Sequence, residues 1–231
     1  MVFVSMEPQW VVDWLTAGRY AKYLRAAGGD HSRALALYEW NAELAAAFLH
    51  DLSHLEVGIR NAYDRTLLQH PAAGGGDWLE PPIYTLLFPA HFVTDRSGNH
   101  QDKNSTPRGQ IKSARKAAGY VAGGGVPRGK AIAELMFGFW SYLTDSLHEK
   151  TLWVPALHTA FVAGADRTKL HNAMTELRDI RNRVAHHESV FDQRAENARR
   201  SIVYVARSLS PDLRDHLVST SRLPKLLRAK P

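Results

Sequence analysis

The 231-residue chain contains no cysteine. That absence excludes a disulfide framework, thiolate catalysis and every thiolate metal site, and it fits a reducing cytosol. No apolar run reaches the roughly 20 residues a membrane span needs. The opening MVFVSM is too short for the core of a signal peptide. A cytoplasmic chain that stays out of the membrane is therefore expected. Strand-like alternation and internal repeats are missing as well, which removes sheet and solenoid architectures.

Acidic residues are scarce where basic ones gather. Overall, 29 Lys and Arg stand against 23 Asp and Glu, giving a formal charge of +6 and a pI near 9.6, a balance suited to a polyanionic partner. Between Lys103 and Lys130 lie Lys103, Arg108, Lys112, Arg115, Lys116, Arg128 and Lys130 with no carboxylate among them. This run reads as a surface for RNA backbone or as a solvated face. A second basic stretch runs from Arg194 to Lys230.

Helical periodicity fills the remainder. The pattern predicts a first helix over Met6–Arg25, closed by AAGGD. From Ser32 to His70 an apolar stripe steps through Leu37, Asn41, Leu44, Phe48, Leu52, Leu55, Ile59 and Ala62. With Asp30 as cap and Pro71 as stop, this is one very long helix or two broken near Asp51–Ser53. Residues 71–106, with short apolar patches such as DWLEPPIYTLLF, read as loop with a turn or two of helix, and Thr106–Tyr120 as a short basic helix ended by AGGGVPRG. Further helices are expected at Lys130–Leu147, Leu152–Ala163, Asp166–His187, Gln193–Leu209 and Pro211–Ser219, followed by a short basic tail. Gly138, inside LMFGFW, marks either a close backbone approach or a tolerated glycine in an aromatic helix. The fold class is all-α with a single core: an N-terminal helix (1–29), a loop-rich basic insertion (71–129), motif-bearing helices (130–209) and a C-terminal extension with its basic tail (210–231).

The densest chemistry lies in LRDIRNRVAHHES, Leu177–Ser189. At about 100° per residue, Leu170, Ala173, Leu177, Ile180 and Val184 share one face, which is the core face. Arg181 falls at its edge. Arg178 and Asn182 fall on the far side, with His186 almost diametrically away from the core. His187 comes out at the other core edge and reads as structural. Arg181 and His186 lie roughly 140° apart and bracket a polar face that a phosphate could span. The blander reading pairs Arg181 with Glu188, leaves Asn182 on the surface, and makes His186 a C-terminal residue that complements the helix dipole.

Three blocks add to this reading. LYEWNAELAAAFLHDLSHLEVGIRN (Leu37–Asn61), IAELMFGFWSYLTD (Ile132–Asp145) and LRDIRNRVAHHESVF (Leu177–Phe191) together resemble, in that order, the Abi-like (abortive infection) HEPN proteins of bacteria. RNRVAH has the form of the motif that marks HEPN ribonucleases, helical domains that act as dimers. The resemblance implies a HEPN-like helical bundle and a homodimer. It also implies a metal-independent endoribonuclease with no cofactor, working in a toxin-antitoxin or phage-defence system against an RNA or protein antitoxin. In that chemistry the RNA 2′-hydroxyl attacks its own phosphate and leaves a 2′,3′-cyclic phosphate.

On the matched positions Arg181, Asn182 and His186 are catalytic. Arg178, Arg183, His187, Glu56 and Arg60 are secondary, the last two spaced for a helix ion pair. Histidine can move a proton near neutral pH. A guanidinium can fork two phosphate oxygens. An RNA-binding or regulatory module with little cleavage, and a helical interaction protein whose basic residues serve solubility, remain alternatives.

Overall fold

A computed structural model describes residues 8–119 and 128–231. Met6, Tyr120 and most of the AGGGVPRG break lie outside these residues. The chain is all-α apart from one small hairpin.

The spine is α3, a continuous helix over His31–Leu68 that settles the one-or-two question in favour of one. At about 1.5 Å per residue its 38 residues extend ~57 Å. The Asp30 carboxylate caps it by accepting from Arg33 N at 3.0 Å. Its stripe is buried along the full length, Asn41 included. Gly58 is where α10 (Pro211–Thr220) comes closest, since a Cβ there would meet Leu213 Cδ2 at 2.9 Å.

The predicted first helix is two helices, α1 (Gln9–Leu15) and α2 (Ala17–Ala26), separated by Thr16 at φ 62°. On one straight helix the buried Val11 and Leu15 would lie roughly 130° round from the buried Tyr20, Tyr23 and Ala27. The break lets both faces reach the core. The same cause splits the predicted Lys130–Leu147 helix. Here α6 (Arg128–Ala133) and α7 (Phe137–Tyr142) flank an extended Met136, because an unbroken helix would set the buried Phe137 nearly opposite the buried Leu135. Gly138 is not squeezed, its nearest neighbour being Arg178 Cδ at 4.0 Å from a built Cβ. Pro155 likewise prevents the predicted Leu152–Ala163 helix, leaving a π turn at Glu149–Trp153 and a 3₁₀ turn at Leu157–Ala160.

Residues 71–106 carry the expected short helical stretch within a loop, together with a hairpin that the pattern did not announce. They hold α4 (Pro81–Leu87) and an exposed antiparallel hairpin, β1 (Phe92–Thr94) with β2 (His100–Asp102), in register Val93↔Gln101. Trp78, Leu87 and Phe88 from this segment enter the same core as the helices, Trp78 stacking on Phe139 at 6.2 Å. The basic helix is α5 (Ser105–Ala117). Then α8 (Arg167–Ala185), capped by Asp166, packs beside α9 (Gln193–Leu209), and both lie on α3. The expected basic tail is folded too: α11 (Leu223–Arg228) buries Leu223, and Trp40 Nε1 donates to Leu226 O at 2.8 Å.

Arg128 belongs to this framework. It donates to both oxygens of the buried Asp64 at 2.6 and 3.0 Å, pairs with Asp77, and lies over Trp78, whose Nε1 donates to Asp64 at 2.8 Å. Arg128→Ala would leave Asp64 uncompensated in the core. The expected loss is on the order of 2–3 kcal/mol, read by urea unfolding beside a neutral Lys112→Ala control.

Candidate active site

The RNRVAH segment forms the last turns of α8. Leu170, Ala173, Leu177, Ile180 and Val184 are all buried, so the helix is oriented as its pattern requires. Asn182 and His186 are exposed, and Arg178 and Arg181 are half-buried. The helix ends at Ala185, with His186 as its C-cap. His187 then turns left-handed at φ 55°, while Glu188 N donates to Arg183 O at 2.8 Å and His187 N to Val184 O at 3.2 Å. This is a Schellman ending with histidine in the position glycine favours. It corrects the expected place of His187: the residue lies beyond the helix, exposed, and not at a core edge.

The chain leaving the site is pinned from two sides. Asn41, buried on α3, accepts from Val190 N at 2.8 Å through Oδ1. Arg19 on α2 donates to His187 O at 3.2 Å. Neither residue was recognised from the sequence as part of the site. Asn41 could have been, as the one polar member of an otherwise apolar stripe. Arg19 carried no local signal, because its partner is 168 positions away.

The arginines separate by what they hold. Arg183 pairs with Glu188 at 3.5 Å and donates to Ser189 O at 3.2 Å, so it braces the turn; the acid expected beside Arg181 serves Arg183 instead. Arg178 pairs with its neighbour Asp179 at 3.1 Å. Arg181 makes no hydrogen bond or ion pair within 4 Å among the described residues. Its charge acts on Glu56 of α3, which also feels Arg60 and the backbone N–H of Phe137 at the start of α7. Burial nevertheless outweighs these favourable contacts and raises the Glu56 carboxyl above its ordinary range. Arg60 Nε is buried without a hydrogen-bond partner. Two guanidinium groups thus act on a single half-buried carboxylate, one of them from the helix end that also carries the exposed Asn182 and His186, and this charge balance favours an anion.

A groove of ≈ 620 Å³ runs along α8 and touches Asn182; Glu176, Asp179 and Glu188 line it together with Arg183 and Arg194, and both arginines are already paired, with Glu188 and Asp192, so it is a poor place for phosphate. The basic segment of α5 and its surroundings is divided. Arg108 is engaged by Asp102 and Phe88 O, Arg115 by Glu80 at 3.2 Å, and Arg128 by Asp64 and Asp77. Lys103 donates to Gln101 Oε1 at 3.0 Å, whereas Lys112, Lys116 and Lys130 project into solvent.

The raised Glu56 carboxyl has a pH signature. An acid whose folded pKa lies above its unfolded value stabilises the fold below the unfolded pKa, and that contribution is lost as pH rises through the folded pKa. Glu56→Gln should therefore match wild type in melting temperature near pH 4 and equal or exceed it at pH 7, measured by calorimetry across that range. A variant that melts lower at pH 7 than at pH 4 relative to wild type would show that the pairing with Arg60 and Arg181 outweighs burial.

Comparison with curated proteins finds no match, and neither does comparison with solved structures. Among the described residues no helix is long and apolar enough to cross a membrane. A family model does match, described as Abi-like protein, over residues 14–192. The matched stretch starts in α1, spans the whole of α3 and α8, and stops at the residue that caps α9. By this match over most of its length, the chain belongs to the Abi-like family of abortive-infection proteins.

Proposed function

We propose that this chain is an endoribonuclease of HEPN type, acting in bacterial phage defence or as the toxin of a toxin-antitoxin pair. The observation that carries the reading is the charge balance at the end of α8: Arg181 has no ion pair within 4 Å among the described residues, Glu56 feels both it and Arg60, and Asn182 and His186 of the same helix end are exposed. Arg181 takes the phosphate oxygens and the charge that grows on them in the transition state. Asn182 fixes the phosphate by hydrogen bonding without adding charge. His186 moves the proton, either off the attacking 2′-hydroxyl or onto the leaving 5′-oxygen. The 2′-oxygen forms a new bond to phosphorus as the bond to the 5′-oxygen breaks, so the products are a 2′,3′-cyclic phosphate and a 5′-hydroxyl. All reacting atoms belong to the RNA, and no metal is required.

Glu56 acts on Arg181 through charge across the α3–α8 contact. A second copy of the chain, placed by two-fold symmetry with its own α8 end facing this one, would double the basic surface and supply the second partner for proton transfer. The exposed Lys112, Lys116 and Lys130 serve as backbone contacts for the RNA.

The first test mixes wild type with total RNA and tRNA in chelator and maps the ends. Cyclic phosphate ends are expected, and His186→Ala should cut roughly 10²- to 10⁴-fold more slowly with its RNA affinity retained. His187→Gly relieves a left-handed histidine, so it should keep cutting and melt about 2–4 °C higher. A stable His187→Gly protein without activity, beside an active His186→Ala protein, would assign the chemistry to the other histidine. RNA bound by wild type but never cut would favour a regulatory RNA-binding module.

The second test concerns the lysines. Replacing Lys112, Lys116 and Lys130 by alanine should weaken RNA binding and flatten its salt dependence by about 2–3 in the log–log slope, because each phosphate contact releases counterions. An unchanged slope in fluorescence anisotropy would make them a solvated face.

A further inference from the structure

Trp10 and Trp14 of α1 are 58% and 51% exposed, although the other described tryptophans, Trp40, Trp78, Trp140 and Trp153, are buried. The two indoles stack on each other, with centroids 6.0 Å apart and planes within 13°. Trp14 is braced from beneath by the edge of Tyr38 at 5.0 Å. The ring contacts continue inward through Tyr38–Tyr23 at 5.2 Å and Tyr23–Phe191 at 5.3 Å, ending on the segment that leaves the RNRVAH turn. The adjoining helix α2, packed against α1, carries Arg19, Lys22 and Arg25, exposed and unpaired with any carboxylate among the described residues. Arg19 reaches across to His187 O. The only two non-glycine residues at positive φ among the described residues, Thr16 and His187, flank that contact: one sets α1 against α2 and the other closes α8.

We propose that α1 and α2 form a stacking platform for unpaired RNA bases next to the scission site, an inference that rests on the RNA-cleavage reading above. Flat, parallel π-surfaces with cations alongside match a single strand, whose bases stack while its phosphates meet the basic residues. Among the described residues of α1 and α2, Trp10 and Trp14 are the only exposed large hydrophobic residues; Gln9 and Asp13 of α1 are joined to each other by a hydrogen bond of 2.8 Å. Stacking tolerates any base, so the platform selects single-stranded RNA over duplex and holds the strand in reach of Arg181 and His186 without reading its sequence.

The test uses full-length His186→Ala protein, which keeps the probe intact, with a ten-nucleotide oligouridylate and an abasic strand carrying the same phosphates. Because the other described tryptophans are buried, quenching of tryptophan emission by the base-bearing strand reports on Trp10 and Trp14. With affinities for wild type and variants read by fluorescence anisotropy of end-labelled strands, the base-bearing strand should bind about tenfold or more tightly than the abasic one. Trp10→Ala with Trp14→Ala should erase the difference, and Trp10→Phe with Trp14→Phe should retain part of it, with circular dichroism confirming an unchanged fold. Equal affinity for the two strands, or an alanine variant that binds as wild type does, overturns the platform. So does an alanine variant whose only change is loss of a dimer by light scattering, since that assigns the face to a second copy. Base-dependent quenching without any cleavage by wild type would sink the nuclease reading alone; cleavage with binding indifferent to the two tryptophans would sink the platform alone.

Discussion

Everything in this molecule is referred to the buried stripe of α3. A helix of 38 residues is far longer than its own hydrogen bonds need, and it persists because neighbours cover it from end to end: α2 and α11 near its start, α8 and α9 along its middle, and α6 and α7 toward its end. Tertiary burial, more than propensity, keeps so long a helix straight. One consequence is positional. Asn41, Glu56 and Arg60 are set along a single rigid rod, so the turn at Val190 and the guanidinium of Arg181 are located by the same element. A shift in how α8 packs on α3 would move the turn and the charge together.

The electrostatics of the site follow from that shared frame. Glu56 is half-buried and would prefer a proton, yet two arginines and a backbone N–H lie around it. The arrangement leaves positive charge in excess beside a solvent-facing amide and imidazole. By contrast, the arginines of the basic insertion mostly answer carboxylates of their own: Arg128 with Asp64 and Asp77, Arg108 with Asp102, Arg115 with Glu80. A run without acids in sequence can therefore be well supplied with acids in space, because α3 and the residues that follow it bring Asp64, Asp77 and Glu80 to it.

Backbone strain is concentrated at the same end. Thr16 and His187 occupy left-handed conformations that cost of order 1–3 kcal/mol each, and such positions persist only where surrounding contacts enforce them. Val11, Leu15, Tyr20 and Tyr23 enforce the first by demanding burial on two incompatible faces. The Schellman bonds, Arg19 and Asn41 enforce the second. The result is a motif turn held rigidly from both flanks, which suits chemistry that depends on placing a phosphate against an imidazole.

The sequence by itself determined the helical class, the outer limits of the α3 segment though not whether it is one helix or two, the cap at Asp30, the core face of α8 and the outward placement of Asn182 and His186. All of these depend on local periodicity and capping, which neighbouring residues encode. Where continuity is decided by distant packing, it left α3 open as one helix or two and joined segments that the structure breaks. The breaks at Thr16 and Met136 arise because buried residues on either side need different directions, and no periodicity reports which direction the core lies in. Pro155 was a local signal against a helix that the apolar pattern obscured. The basic tail became α11 because Trp40 and the α3 stripe lie waiting for it, 186 positions away along the chain for the Trp40 hydrogen bond. His187 left the wheel because the helix stopped two residues earlier, and only the tertiary hold on His187 O and Val190 N decides that stop. Which arginines are free to meet a phosphate was likewise invisible in one dimension, since ion pairing depends on which carboxylates folding brings within 4 Å.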